Sequence, residues 1–216
     1  MAGIALDGTP VHATGVSSTQ VMPALTTTVM GVVVVAIELN HGTVITLSNT
    51  SGLTWARRAT TNSAFDNFVL EVWWAYSTVP LSSDVITING LGTVDFIAAT
   101  AFGVKNANRF APWDIGSLPV TSQLNGPVSV TTTEPETLII GAYRSQDTGS
   151  PTQGAGFTLI SGSDFLLVEY KIVTTVQTGL SVAANAGTIN GGIGDALAGF
   201  RFAPPFPPRY QANLRI

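Results

Sequence analysis

VLEVWWAYS, residues Val69 to Ser77, sets Trp73 and Trp74 side by side, half of the chain's four tryptophans. As a strand it sends Phe68, Leu70, Val72, Trp74 and Tyr76 to one face and Val69, Glu71, Trp73, Ala75 and Ser77 to the other, because successive side chains alternate. Phe65, Phe68, Val69, Val72, Trp73 and Tyr76 also meet helical i, i+3, i+4 spacing with no Gly or Pro between them, so periodicity alone does not choose. The β-branched and aromatic content, and strand-like runs on both sides, favour the strand. Trp74 then belongs to the denser apolar face. Trp73 shares the other with Glu71 and is either a ligand platform or more packing.

Outward from this stretch the pattern repeats. Between 22 glycines and 12 prolines lie short runs rich in Val, Ile, Thr and aromatics. They predict strands near 30–39, 43–48, 53–60, 67–78, 84–89, 93–104, 127–132, 137–144, 156–160, 164–174, 179–185 and 196–203. Within 164–174, Leu166, Val168, Tyr170 and Ile172 share a face, opposite Phe165, Leu167, Glu169 and Lys171. In 93–104, Val94, Phe96, Ala98, Phe102 and Val104 alternate with Asp95 and small residues. The run 32–37 has no polar break, as in a central strand covered on both faces. About twelve short strands of this spacing imply an all-β antiparallel β-sandwich of jelly-roll type. The length suits one large domain, although length alone leaves two smaller lobes open. The expected division is an N-terminal arm or edge strand over 1–24, a sandwich over 25–202, and an extended Pro-rich arm over 203–216.

Apolar residues make up 45% of the chain and charged ones only 10%, for a net charge of −4. The surface must therefore be largely Thr, Ser, Asn and Gly, a neutral surface suited to permanent assembly. The bases form no stripe for a phosphate backbone, which argues against nucleic acid. No run approaches the roughly 20 apolar residues of a membrane helix. With no cysteine, disulfides and thiolate metal sites are excluded and the compartment stays open. The N-terminus lacks the basic and apolar regions of a cleaved signal.

Catalytic patterns are sparse. His12 lies in the loose N-terminal segment, and Asn40-His41-Gly42 reads as a hairpin turn. Neither G-x-S-x-G nor H-E-x-x-H occurs. Glu134 and Glu136 flank a proline in a turn. Glu71 beside Trp73 could begin a sugar site, but the plainer expectation is an outward Glu next to a covered Trp. NGGIGD at 190–195 is one acid out of step for a calcium turn and reads as a Gly-rich hairpin. No catalytic residue, cofactor or metal ligand is assigned.

One pattern is more specific. SNTSGLTWARRAT, then VLEVWWAYS, then AFGV followed by APWD, resembles a β-sandwich domain of bacteriophage and prophage virion proteins found in capsid decoration, head fibre and tail components. The matching residues are Ser51 to Trp55, Trp73-Trp74-Ala75, Gly103-Val104 and Pro112-Trp113-Asp114. The resemblance spans about residues 25 to 200. It implies a non-enzymatic structural role in a virion, with the major capsid protein or other virion proteins as partners. An aromatic pair before Ala is a core feature of such domains, which shifts Trp73 toward packing.

The end, APPFPPRYQANLRI, carries Pro204, Pro205, Pro207 and Pro208 and is expected to be extended polyproline-like chain. Its apolar anchors Phe206, Tyr210, Leu214 and Ile216 suit a neighbouring subunit, as in a homo-oligomer such as a trimer. The segment 105–126 is expected to be a packed surface loop that offers Arg109 and Trp113 to a partner. The alternative function is a carbohydrate-binding or adhesin module whose exposed aromatics, Trp73 or Trp113, stack on host glycans.

Overall fold

A computed structural model describes residues 3–63, 67–91, 95–116, 118–123, 126–145, 151–163, 165–185 and 189–200, and every regular element in them is a strand. The first eight are β1 (Ala5–Gly15), β2 (Thr19–Val21), β3 (Gly31–Asn40), β4 (Thr43–Asn49), β5 (Ala56–Asn62), β6 (Phe68–Ser77), β7 (Ile86–Leu91) and β8 (Phe96–Lys105). Then come β9 (Val120–Ser122), β10 (Val128–Val130), β11 (Thr137–Ser145), β12 (Thr158–Ser163), β13 (Leu166–Val173), β14 (Leu180–Val182) and β15 (Ile189–Ala198). The double-tryptophan stretch is a strand, paired antiparallel with β3 from Gly31–Ser77 to Asn40–Phe68. Phe65 and Val94 lie outside the described residues.

Three strands exceed the expected twelve: β1, β2 and β9, whose polar or very short sequences hide their alternation. Within 1–24, Ala5–Gly15 form the edge strand β1, paired with β8, and Thr19–Val21 form β2 in a different sheet. His12 is accordingly not loose; its Nδ1 lies 3.2 Å from Thr100 Oγ1. NGGIGD is not a hairpin either. It forms most of β15, buried along its length between β11 and β9. Its glycines make room for neighbours: a Cβ at Gly192 would meet the Tyr143 ring at 2.9 Å, and one at Gly194 would meet Val128 at 2.6 Å.

The sheets stack in four layers. The outer pairings β2-β7-β4 and β10-β14 enclose two five-stranded inner sheets, β1-β8-β3-β6-β5 and β12-β13-β11-β15-β9. One core, including Val33, Val35, Ile37 and Trp73, joins the first outer sheet to its inner sheet. A second, including Ile139, Tyr143 and Leu167, does the same in the other half. The third lies between the inner sheets and holds Val32, Val34, Leu70, Val72, Leu138, Ile140, Val168 and Leu197, with Trp74 and Tyr76 packed against it. Both faces of β6 are therefore covered. So are both faces of β3, which explains its unbroken apolar run.

The two halves share one topology. With β4 set aside, each has seven strands; the inner sheet reads first, last, third, fifth, fourth, and the outer pair is second and sixth. This is the interleaving of a jelly roll, made twice. The hydrogen bonds repeat as well. Asp7 accepts from the Thr28 N–H at 2.9 Å, the Thr28 hydroxyl at 2.5 Å and the Val29 N–H at 3.1 Å. Asp114 accepts from the Thr133 N–H at 2.8 Å, the Thr133 hydroxyl at 2.6 Å and the Glu134 N–H at 2.8 Å. Thr27 Oγ1 receives the Leu81 N–H at 2.9 Å, and Thr132 Oγ1 receives the Gln177 N–H at the same length. Thr26 and Thr131 hold the N–H groups of Ser83 and Gly179, two residues of positive φ.

The halves face each other as the subunits of an isologous dimer would: β5 lies over β15 and β9, and β1 lies over β12. On the shared face, Val32, Val34, Ala36 and Glu38 of β3 correspond in order to Leu138, Ile140, Ala142 and Arg144 of β11. Glu38 and Arg144 meet across the interface at 3.4 Å, both almost wholly buried. A true dimer would set like against like at this position. The two-part chain places opposite charges there.

Candidate functional site

Each half has a β-bulge at the same place in its edge strand, between Arg57 and Ala59 in β5 and between Leu159 and Ser161 in β12. A bulge re-aims the extra residue's side chain. In β12 that residue is Ile160, which packs into the shared core with Leu6 and Phe102. In β5 it is Arg58. Asp195 stands on β15 where Phe102 stands on β8, and Trp113 bridges Leu197 as Leu6 pairs with Val104. One side of the molecule thus carries Arg58, Asp195 and Trp113 where the other carries three apolar residues.

The polar trio is tightly made. Arg58 Nε donates to Asp195 Oδ2 at 2.7 Å, and Nη2 to Oδ1 at 3.4 Å. Asp195 is fully buried, whereas 21% of the Arg58 side chain is exposed. The guanidinium lies 4.8 Å from the Trp113 ring centroid, a cation–π distance. Trp113 in turn meets Trp74 edge-on at 6.2 Å. Trp113 is only 8% exposed, so the expected surface loop instead delivers it into the shared core.

Next to this trio opens a hollow of about 260 Å³ lined by Arg58, Ala111, Pro112, Trp113, Asp114, Ile115 and Leu118. Two of its lining residues are apolar and uncovered, Ile115 at 88% exposed and Leu118 at 76%, and Phe110, 78% exposed, immediately precedes the lining residue Ala111. Arg109 lies over the Phe110 ring at 4.4 Å. Asp114 anchors the floor. Burial pushes its carboxyl upward, but the Thr133 hydroxyl and the N–H groups of Glu134, Gly116 and Thr133 outweigh this and hold it below the ordinary range. Of the residues expected to meet a partner, Trp113 lines this hollow and Arg109 lies against Phe110 beside it; Arg58, Ile115 and Leu118 were not singled out, and only the packing of β5 over β15 brings Arg58 to this loop. The residues Phe206, Tyr210, Leu214 and Ile216 lie outside the described residues.

Glu71 and Trp73 make no open sugar site. Glu71 is fully buried instead of outward, accepting from Trp73 Nε1 at 2.6 Å and from Arg57 at 3.4 Å. Trp73 is 8% exposed. His41 closes no hairpin, contrary to expectation, because β3 and β4 lie in different sheets; it takes a φ of 55° where the chain crosses between them, with Asp95 at 2.9 Å.

Another buried carboxyl, Glu169, accepts the Gly154 N–H at 2.6 Å. Burial raises its pKa, only partly opposed by that bond, and burial together with the Glu169 charge raises the neighbouring Tyr143 phenol. A carboxyl whose folded pKa is raised stabilises the fold fully below its unfolded pKa and loses that contribution as pH rises through the folded value. Stability should therefore fall from mildly acidic toward neutral pH, and Glu169→Gln should flatten that slope in urea titrations at stepped pH. An unchanged slope would mean Glu169 is not its source.

No family model, no curated protein and no solved structure matches this chain, so the site rests on its own geometry.

Proposed function

We propose that the chain is a non-enzymatic structural subunit of a bacteriophage particle, a capsid decoration protein or a head-fibre or tail component, that assembles with copies of itself and with other virion proteins. The observation that carries the assembly part is the exposed apolar surface of Ile115 and Leu118 on an open hollow, with Phe110, the one aromatic among the exposed large hydrophobics of the described residues, just before the lining Ala111. The virion part rests on the resemblance of SNTSGLTW, WWA and APWD to phage sandwich domains. Those motifs have structural work in the fold. Asn49 receives the N–H of Leu53 at 2.8 Å and Nε1 of Trp55 at 3.3 Å, and Asp114 caps the loop after Thr132. A twice-made jelly roll whose buried carboxylates hold turns in place suits a rigid building block.

The test is the mass of the full chain in solution by analytical ultracentrifugation, together with protein identification in purified phage particles that encode it. A discrete oligomer and a fixed copy number per particle are expected. A concentration-independent monomer absent from particles would sink the reading.

A further inference from the structure

We propose that the hollow beside Arg58 and Trp113 receives the proline-rich segment Pro204–Arg209 of a second copy of this chain. This rests on the assembly reading above and names its contact. The duplicated fold supplies the first reason. At the twin position Ile160, Phe102 and Leu6 fill the same space with apolar packing, so the architecture does not require an ion pair there. Burying such a pair often stabilises no more than apolar residues of similar volume. What Arg58 offers and Ile160 does not is a part-exposed guanidinium, held rigid by Asp195, at the mouth of an opening.

The chemistry of the rim is the second reason. Ile115 and Leu118 line the hollow with exposed apolar surface, Phe110 adds an exposed ring just before the lining Ala111, and Arg58 adds a part-exposed positive charge. Proline-rich chain docks on such surfaces, its rings against aromatics and its carbonyls toward donors, with little ordering entropy left to lose. PPFPPR, residues 204–209, is the chain's own segment of this kind.

The exit of the chain gives the third and selects a second copy. β15 runs antiparallel to residues 112–114: Trp113 bridges Leu197, and the Ala198 N–H donates to the Pro112 carbonyl at 2.8 Å. At Phe200, whose N–H donates to Asn106, the chain is therefore heading away from Ile115 and Leu118. To fill its own hollow it would have to reverse before Pro204, yet Ala203 is biased toward extended backbone by the proline that follows. Fully extended chain spans at most about 3.3–3.6 Å per residue, so a segment of the length of 204–216 could bridge roughly 40 Å, enough to cross to a neighbour.

The test uses the full chain with Ile115→Glu and Leu118→Glu together, two exposed positions that leave the core intact. Sedimentation should show self-association weakened at least about tenfold, as for loss of an apolar anchor contact. Deleting residues 203–216 should weaken it equally, and the combination no further. Excess synthetic peptide of residues 203–216 should dissociate the unmodified oligomer. Two results would overturn the proposal while sparing the assembly reading: association unchanged in the Glu variant though weakened by the deletion, or an unchanged mass with the arm newly open to protease, which would make the occupant the chain's own arm. An unmodified chain that stays monomeric would remove both.

Discussion

Arg58→Ala should cost about 3 to 5 kcal/mol of folding stability, because it leaves the fully buried Asp195 carboxylate without its charged partner. Asp195 would keep the Ala196 N–H at 2.8 Å, which does not replace a guanidinium at 2.7 Å. The twin half suggests the rescue. Changing Arg58→Ile together with Asp195→Phe copies Ile160 and Phe102 and removes both charges at once, and it should recover most of the loss. Urea unfolding of the two single variants and the double one gives the coupling directly. A double variant as unstable as the summed singles would show that the two sides of the shared core are not interchangeable. That would undercut reading Arg58 as a residue kept for something other than folding.

Asp84→Ala should cost about 3 kcal/mol or more, since it leaves several donors of one turn without their charged acceptor. Asp84 is fully buried and accepts from Asn49 Nδ2 at 2.5 Å, the Thr50 hydroxyl at 2.7 Å and the Ser51 N–H at 2.7 Å. Asn49 then positions Leu53 and Trp55, and Gly52 takes a φ of 69° with open space at its Cβ position. The motif that looks most distinctive in the sequence is thus a turn organised by one distant carboxylate. The variant should also change the near-ultraviolet circular dichroism of Trp55 before global unfolding. A loss below about 1 kcal/mol, the level of an ordinary neutral hydrogen bond, would mean that water replaces Asp84 at no great cost.

How far the sequence could be read differs by feature. The alternation in 68–77 sorted Trp73 and Trp74 to the faces they occupy, because pleating is a local property of the backbone. β15 escaped because its glycines, normally turn signals, are needed here for close packing against Tyr143 and Val128. Glu71 looked like a surface acid because nothing local shows that Arg57 and Trp73 satisfy it. Trp113 looked like a loop residue because its segment has no alternation of its own and borrows order from β15.

By itself, then, the sequence determined an all-β chain of short antiparallel strands, the sorting of residues on each strand, and a neutral surface with a proline-rich end. Only the tertiary structure decided that the strands fold twice into the same arrangement, and that both inner sheets are covered on both faces. It alone placed Arg58 on Asp195, 137 residues away in the chain. The reason is physical: a pattern of apolar residues states that a face must leave water, but not which distant segment will cover it.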